Sequence, residues 1–194
     1  MPSPTEITVA QLSRRIGLPD SPAVIDVRTD EDFTADPRLI PGARRRDFRA
    51  IAEWAELYAG RQVIVSCHRG LKLSQGAAAW LRQEGVAAES LEGGHLAWAD
   101  AAQMLVPEAK LPPHDTRGRT VWVTRARPKI DRIACPWLIR RFVDPDAAFL
   151  FVSPSEVLAV AERFAATPFD VEGVFWSHRG DACSFDTMIE EFAL

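Results

Sequence analysis

Short β-branched runs bounded by turn residues alternate with helical stretches in the first half of the chain. Ala23–Val27 and Val63–Ser66 read as strands covered on both faces, because their apolar character is continuous rather than alternating. The apolar and small positions of Ala50–Tyr58 predict a helix between them. Ser74–Glu84 predicts another, with Ala77, Ala78, Ala79, Trp80 and Leu81 suited to close packing on a sheet and Gly85 placed to stop it. A further strand is expected near Ala88–Leu91. The order β-α-β-α predicts an α/β fold, a doubly wound parallel sheet whose reactive loops sit at the carboxyl ends of its strands.

The second half reads as a smaller α+β domain. Thr120–Thr124 is the first expected strand, followed by a helical segment over Ile130–Phe142 in which Pro136 should either kink the helix or mark its true first turn. Ala148–Val152 is a second strand, Ser153-Pro154-Ser155-Glu156 opens a helix that Val157–Phe164 continues, Val174–Trp176 is a third strand, and Ser184–Phe192 is a final helix. Between Pro107 and Gly118, Leu111-Pro112-Pro113-His114-Asp115-Thr116 breaks both periodicities and supplies a stiff linker. The expected domains are therefore residues 1–108 and 119–194.

Composition removes several classes. With 194 residues, 47% hydrophobic and 26% charged, the chain is neither a disordered nor a membrane sequence. No apolar run approaches the roughly 18–20 residues of a membrane span. The start, Met1-Pro2-Ser3-Pro4-Thr5-Glu6, has neither the basic flank nor the apolar core of a secretion signal, so a cytoplasmic location is expected. The formal charge of -4 hides an asymmetry: residues 117–141 carry eight basic side chains and one acidic, and residues 142–194 carry two basic and ten acidic. Such polarity suits an anion or nucleic-acid surface, or a basic segment folded against an acidic one. The three cysteines, Cys67, Cys135 and Cys183, are odd in number and widely separated, so they make no disulfide framework.

The candidate chemistry lies in Cys67-His68-Arg69-Gly70-Leu71-Lys72, between a strand and a helix. Loop N–H groups, the positive end of the following helix, Arg69 and Lys72 would together favour thiolate over thiol, and Gly70 can take backbone angles closed to other residues. A nucleophile so placed can take the outer sulfur of thiosulfate or another sulfane donor as a persulfide and pass it on. The alternative is a buried structural cysteine. Asp26-Val27-Arg28, Glu31, Ile40-Pro41-Gly42-Ala43, the six-residue loop, and Leu91-Glu92-Gly93-Gly94 ahead of Trp98 together resemble the rhodanese sulfurtransferases over residues 5–105. The resemblance implies a five-stranded parallel sheet, Cys67 as catalytic persulfide carrier, and His68, Arg69, Gly70, Leu71, Lys72 and Arg28 around the substrate. It also implies a sulfane-sulfur donor, a small thiol or cyanide-like acceptor and no cofactor, with Asp26 and Arg28 supporting the loop base. Leu39 departs from the histidine many members carry. Tyrosine-type phosphatases share the cysteine loop but need an arginine where this chain has Leu73. His68 can tune the loop or move a proton, and His95 reads as a turn histidine.

In the second half, Trp122–Phe142 is rich in arginine, and forked guanidinium groups suit oxyanions. At about 100° per residue, Asp131, Arg132 and Cys135 fall on one side of a helix and Ile130, Ile133 and Trp137 on the other, which suggests either an oxyanion or redox site or a buried cysteine at a kink. His178, Asp181 and Cys183 are candidate metal ligands with Asp186 nearby, although Ser184 could instead cap the last helix and His178 pair with Asp181. These stretches, with Trp176-Ser177-His178-Arg179-Gly180-Asp181-Ala182-Cys183-Ser184-Phe185-Asp186 the most specific, resemble the C-terminal domain of ChrB-type chromate-resistance proteins over residues 119–194. The resemblance implies chromate as a partner and further helices beyond the position of Leu194. The expected function is sulfur transfer linked to chromate resistance. Its rivals are a non-enzymatic chromate sensor and a regulator that binds DNA through Arg117–Arg141.

Overall fold

The computed structural model describes residues 5–127 and 129–194. Met1–Pro4, where the absence of a secretion signal was read, and Pro128 of the arginine-rich stretch lie outside the described residues. The chain divides into two compact units, Met1–Leu105 and Val106–Leu194.

The first unit contains β1 (Glu6–Ile7), α1 (Val9–Ser13), β2 (Ala23–Asp26), α2 (Asp30–Ala35), β3 (Arg38–Leu39), β4 (Arg44–Arg45), α3 (Ile51–Trp54), β5 (Gln62–Ser66), α4 (Lys72–Gln83), β6 (Ala87–Leu91) and α5 (Gly94–Asp100). Five strands form one sheet in the order β1-β6-β5-β2-β4, all its pairs parallel. The predicted strands of this half and the helix after the cysteine loop stand within two residues of their expected limits. Ala50–Tyr58 is instead broken into a 3-10 turn, the single α-turn of α3 and a second 3-10 turn. Every residue of β2 is buried, so both faces of the sheet are covered. Ile25, Val63 and Val65 pack with Trp54, Ala77, Ala78 and Leu81 of α3 and α4. Cys67 belongs to the same cluster because it continues the period-two row of Val63 and Val65, which aims its thiol under the start of α4.

The second unit contains β7 (Val106–Pro107), β8 (Val121–Arg125), α6 (Asp131–Leu138), β9 (Ala148–Val152), α7 (Val157–Phe164), β10 (Thr167–Pro168) and α8 (Ser184–Phe192). A three-stranded parallel sheet runs β10-β8-β9. The third strand is therefore Thr167–Pro168 and not Val174–Trp176, whose Trp176 makes only an isolated bridge to Phe169. Trp176 is held by its ring instead, stacked on Phe192 at 4.7 Å and edge-on to Trp122 at 5.7 Å. Pro136 lies inside α6 rather than in its first turn. It has no N–H to return to the preceding turn, and the helix widens into a π-turn over Ile139–Val143, closed by the Asp144 N–H donating to the Ile139 carbonyl at 2.7 Å.

Helix α6 faces the opposite way from the simple amphipathic expectation. Arg132 and Cys135 are buried with Leu138, whereas Ile130, Ile133 and Trp137 are exposed, Ile130 by 82%. Buried Asp170 explains the inversion, since it attracts Arg132 inward with Arg132 Nε 3.0 Å from Asp170 Oδ2.

Candidate active site

Cys67 follows β5 directly and is 4% exposed. Its Sγ lies 3.2 Å from Ser74 Oγ, which also donates to the Leu71 carbonyl at 3.3 Å. Ser74 is fully buried in the first turn of α4, so the helix start and the thiol share one pocket. Among the described residues the N–H groups of His68, Arg69, Gly70 and Leu71 donate to no protein acceptor, which leaves them available to an anion. Arg69, Leu71 and Lys72 are exposed around the loop mouth, and His68 Nδ1 is buried without a hydrogen-bond partner.

Two glycines fix the loop against the turn after β6. Gly70 has φ +69°, and a Cβ there would meet the Leu91 carbonyl at 2.5 Å and the Gly93 nitrogen at 2.6 Å. Gly94 has φ +62°, and its Cβ would collide with the Cys67 carbonyl and the Gly70 nitrogen. This close approach lets the His95 N–H donate to Cys67 O at 2.8 Å and the Leu96 N–H to His68 O at 3.1 Å. Gly93-Gly94 is thus the back wall of the cysteine loop.

Arg28 supports this architecture. Its guanidinium is buried, donates to Asp26 through Nε and Nη2, and spends further donors on the carbonyls of Asp36 and Arg38. That commitment fits the support role expected of it. Leu39 is a buried apolar residue. His95, read as a turn histidine, is 2% exposed and joins the same assembly through Nε2, 2.9 Å from Asp36 Oδ2. Burial pushes the His95 imidazole below its ordinary value, and the bond to Asp36 opposes this only in part. The Arg38 guanidinium beside Asp36 holds that carboxyl well below the usual carboxylate range. Ser74 and Asp36 had no distinguishing sequence signal, since serine in a first helical turn and aspartate in a loop are both commonplace.

A second polar cluster lies in the other unit, between α6, β10 and α8. The predicted metal trio of His178, Asp181 and Cys183 does not assemble there. His178 instead meets Asp131 and Asp170, at 3.6 Å and 3.7 Å, and Ser184 Oγ donates to Asp170 at 2.9 Å and lies 3.1 Å from His178 Nδ1. Asp181 is exposed, and Cys183 occupies the N-cap position expected for Ser184, where its N–H donates to Asp186. Asp131, Asp170 and His178 could in principle hold a cation between them. Arg125 and Arg132, however, both approach Asp170 within ion-pair distance and oppose a dication at that place. Cys135, read either as part of an oxyanion or redox site or as a buried cysteine at a kink, is fully buried, and burial with nearby Asp131 and Asp170 pushes it well above the ordinary thiol range. Several arginines of the basic segment are neutralised locally, Arg119 by Asp115 and both Arg125 and Arg132 by Asp170. Among the described residues no helix is long and apolar enough to cross a membrane.

Comparison with known proteins agrees with this division. Residues 8–101 match the model of the rhodanese-like domain, and residues 122–194 match that of the ChrB C-terminal domain. Protein ChrB of Cupriavidus metallidurans is 38% identical over 87 residues, which are 42% of this chain and 24% of that protein, so the chain spans about a quarter of that relative's length. A rhodanese-like domain protein from Staphylococcus aureus is 27% identical with TM-score 0.43, covering 48% of this chain and 90% of its own. A thiosulfate sulfurtransferase from Pseudomonas aeruginosa is 23% identical with TM-score 0.48, covering 56% of this chain and 20% of its own. The chain accordingly joins a rhodanese-like domain to a ChrB C-terminal domain.

Proposed function

We propose that the protein is a sulfurtransferase in which Cys67 carries sulfane sulfur as a persulfide, and that the ChrB-type domain couples this chemistry to chromate resistance in the cytoplasm. The observation that carries the reading is the placement of Cys67 Sγ beneath the first turn of α4, 3.2 Å from Ser74 Oγ, inside a loop whose N–H groups have no protein acceptor. In the first half-reaction the Cys67 thiolate attacks the outer sulfur of thiosulfate, the S–S bond breaks, and sulfite leaves with the bonding pair. The loop N–H groups stabilise the negative charge of the persulfide, and the buried position keeps water from it. A thiol or cyanide acceptor then removes the outer sulfur and regenerates the thiolate. No cofactor takes part.

Thiosulfate-to-cyanide transfer, followed together with intact mass, tests this on the parent protein and Cys67→Ser. Turnover and a one-sulfur mass gain, both lost in the variant, are expected. A folded, reduced parent that neither turns over nor gains sulfur would overturn the reading. It would favour a binding-only domain, for which the low exposure of Cys67 is the supporting observation.

A further inference from the structure

Resting on the reading of Cys67 as persulfide carrier, we propose that an arginine-lined cavity at the carboxyl ends of β2 and β4, on the sheet edge that also bears the cysteine loop, binds the carboxylates of a small anionic thiol, the sulfur acceptor, with Arg46 as its specificity residue. The cavity has a volume of about 390 Å³, and Arg28, Thr29, Arg45, Arg46, Asp47 and Arg49 are among the residues that line it. Its place in the fold ties it to the thiol. The Val27 N–H donates to the Ser66 carbonyl at 2.8 Å, and the Arg46 N–H donates to the Asp26 carbonyl at 2.9 Å. The ends of β5, β2 and β4 therefore stand side by side, and Cys67 and Arg46 leave the sheet at the same edge. Adjacent strands are about 4.8 Å apart, which puts the Arg46 backbone roughly 10 Å from that of Cys67 along that edge, within reach of an extended arginine side chain.

The charges in this cavity do not cancel. Arg28 is taken by Asp26, Arg45 by Asp30 at 2.8 Å, and Arg49 by Asp47 at 2.9 Å. Arg46 forms no ion pair among the described residues, and its Nε is buried without a hydrogen-bond partner. Arg45 Nε likewise has no hydrogen-bond partner, but its Nη2 holds Asp30 and its guanidinium lies over the Phe33 ring at 4.0 Å, which leaves Arg46 as the arginine of the pair without an anion. A half-buried guanidinium without an anion beside it is an unfavourable arrangement that a bound carboxylate relieves, and the planar fork suits that group. The loop N–H groups already suit the charge of thiosulfate, which leaves the Arg46 guanidinium for the acceptor. An acceptor with a thiol at one end and carboxylates at the other meets both requirements, which describes a short acidic peptide thiol. Its thiolate attacks the outer sulfur of the Cys67 persulfide, the S–S bond breaks, and the electron pair returns to Cys67 as thiolate. The acceptor leaves as its own persulfide, its thiol proton having gone to solvent.

Glutathione, neutral 2-mercaptoethanol and cyanide are the acceptor probes, applied to the full chain and to Arg46→Ala. The variant should raise KM for glutathione by roughly tenfold or more, the loss expected for one charge-assisted contact. Persulfide formation from thiosulfate and discharge to mercaptoethanol and cyanide should be unchanged. Calorimetric binding of S-methylglutathione, which cannot accept sulfur, should be measurable for the parent and lost in the variant. Equal binding to both proteins, or a uniform loss with all three acceptors, would overturn the proposal. Slower loading from thiosulfate would overturn it too, by making the cavity a donor site. Arg46-dependent binding in a parent that never forms a persulfide would overturn the acceptor role through failure of the underlying sulfur-transfer reading, while preserving the ligand class.

Discussion

The N–H of His95 donates to the carbonyl oxygen of Cys67 at 2.8 Å, so the residue after the Gly93-Gly94 pair fixes the backbone of the proposed nucleophile itself. Gly94→Ala therefore acts on the cysteine loop although it lies 27 residues away in sequence. A side chain at φ +62° costs about 1–3 kcal/mol, and the collision with Cys67 and Gly70 adds to it. A lower denaturation midpoint and loss of sulfur loading are expected. Gly76→Ala is the contrasting control, because Gly76 lies inside α4 with open space where its Cβ would be. It should raise stability by about 0.5–1 kcal/mol in the same denaturation experiment.

His95 predicts an acid-side loss of stability. Its folded imidazole titrates below the ordinary value of 6.5, so as pH falls through 6.5 the unfolded chain takes up a proton that the folded chain refuses. The stability contribution is complete above that value and declines below it. Asp36, depressed by Arg38, adds a further loss only at more acidic pH, below the ordinary 3.8. Urea midpoints between pH 7.5 and 5 should fall for the parent and fall less for His95→Gln. Equal slopes would show that His95 titrates freely.

Asp170 should be the most sensitive position of the second unit. It is 5% exposed and holds Arg125, Arg132 and Ser184 Oγ. Asp170→Asn removes the charge that two guanidinium groups face, and a cost of about 3–5 kcal/mol is expected for leaving a buried pair broken. Fluorescence of Trp122 and Trp176, which lie in the adjoining core, should report that loss during chemical unfolding.

Cys135 should resist thiol reagents in the native protein. It is fully buried and its thiol is pushed well above the ordinary range, whereas Cys183 is partly exposed. With iodoacetamide at pH 8, peptide mapping should find Cys135 unmodified until denaturant is added. Rapid native labelling at Cys135 would contradict the packing of α6.

The parallel sheet and the cysteine loop were legible because both are written in local pattern. Continuous apolar runs gave β2 and β5, and the glycine-bearing stretch between β5 and α4 gave the loop. Sequence shows that Arg28 is near a site but not where its donors are spent, which only the pairing with Asp26 and the carbonyls of Asp36 and Arg38 reveals. Val174–Trp176 looked like a strand because apolar aromatic runs suit strands, yet here ring stacking on Phe192 replaces the ladder. The run Arg44-Arg45-Arg46 carried no visible chemistry until Asp30 and Asp47 were seen to take the neighbouring arginines and leave Arg46 unpaired.

The sequence alone determined the alternation of elements, the candidate cysteine loop and the two family resemblances, since each rests on residues adjacent or regularly spaced along the chain. The tertiary structure alone decided which charges meet. Asp170 turns α6 over by drawing Arg132 inward, Asp131 and Asp170 rather than Asp181 face His178, and Gly94 closes on Cys67. The physical reason is that burial and ion pairing are properties of groups brought together by folding across tens of residues, and periodicity along the chain carries no record of them.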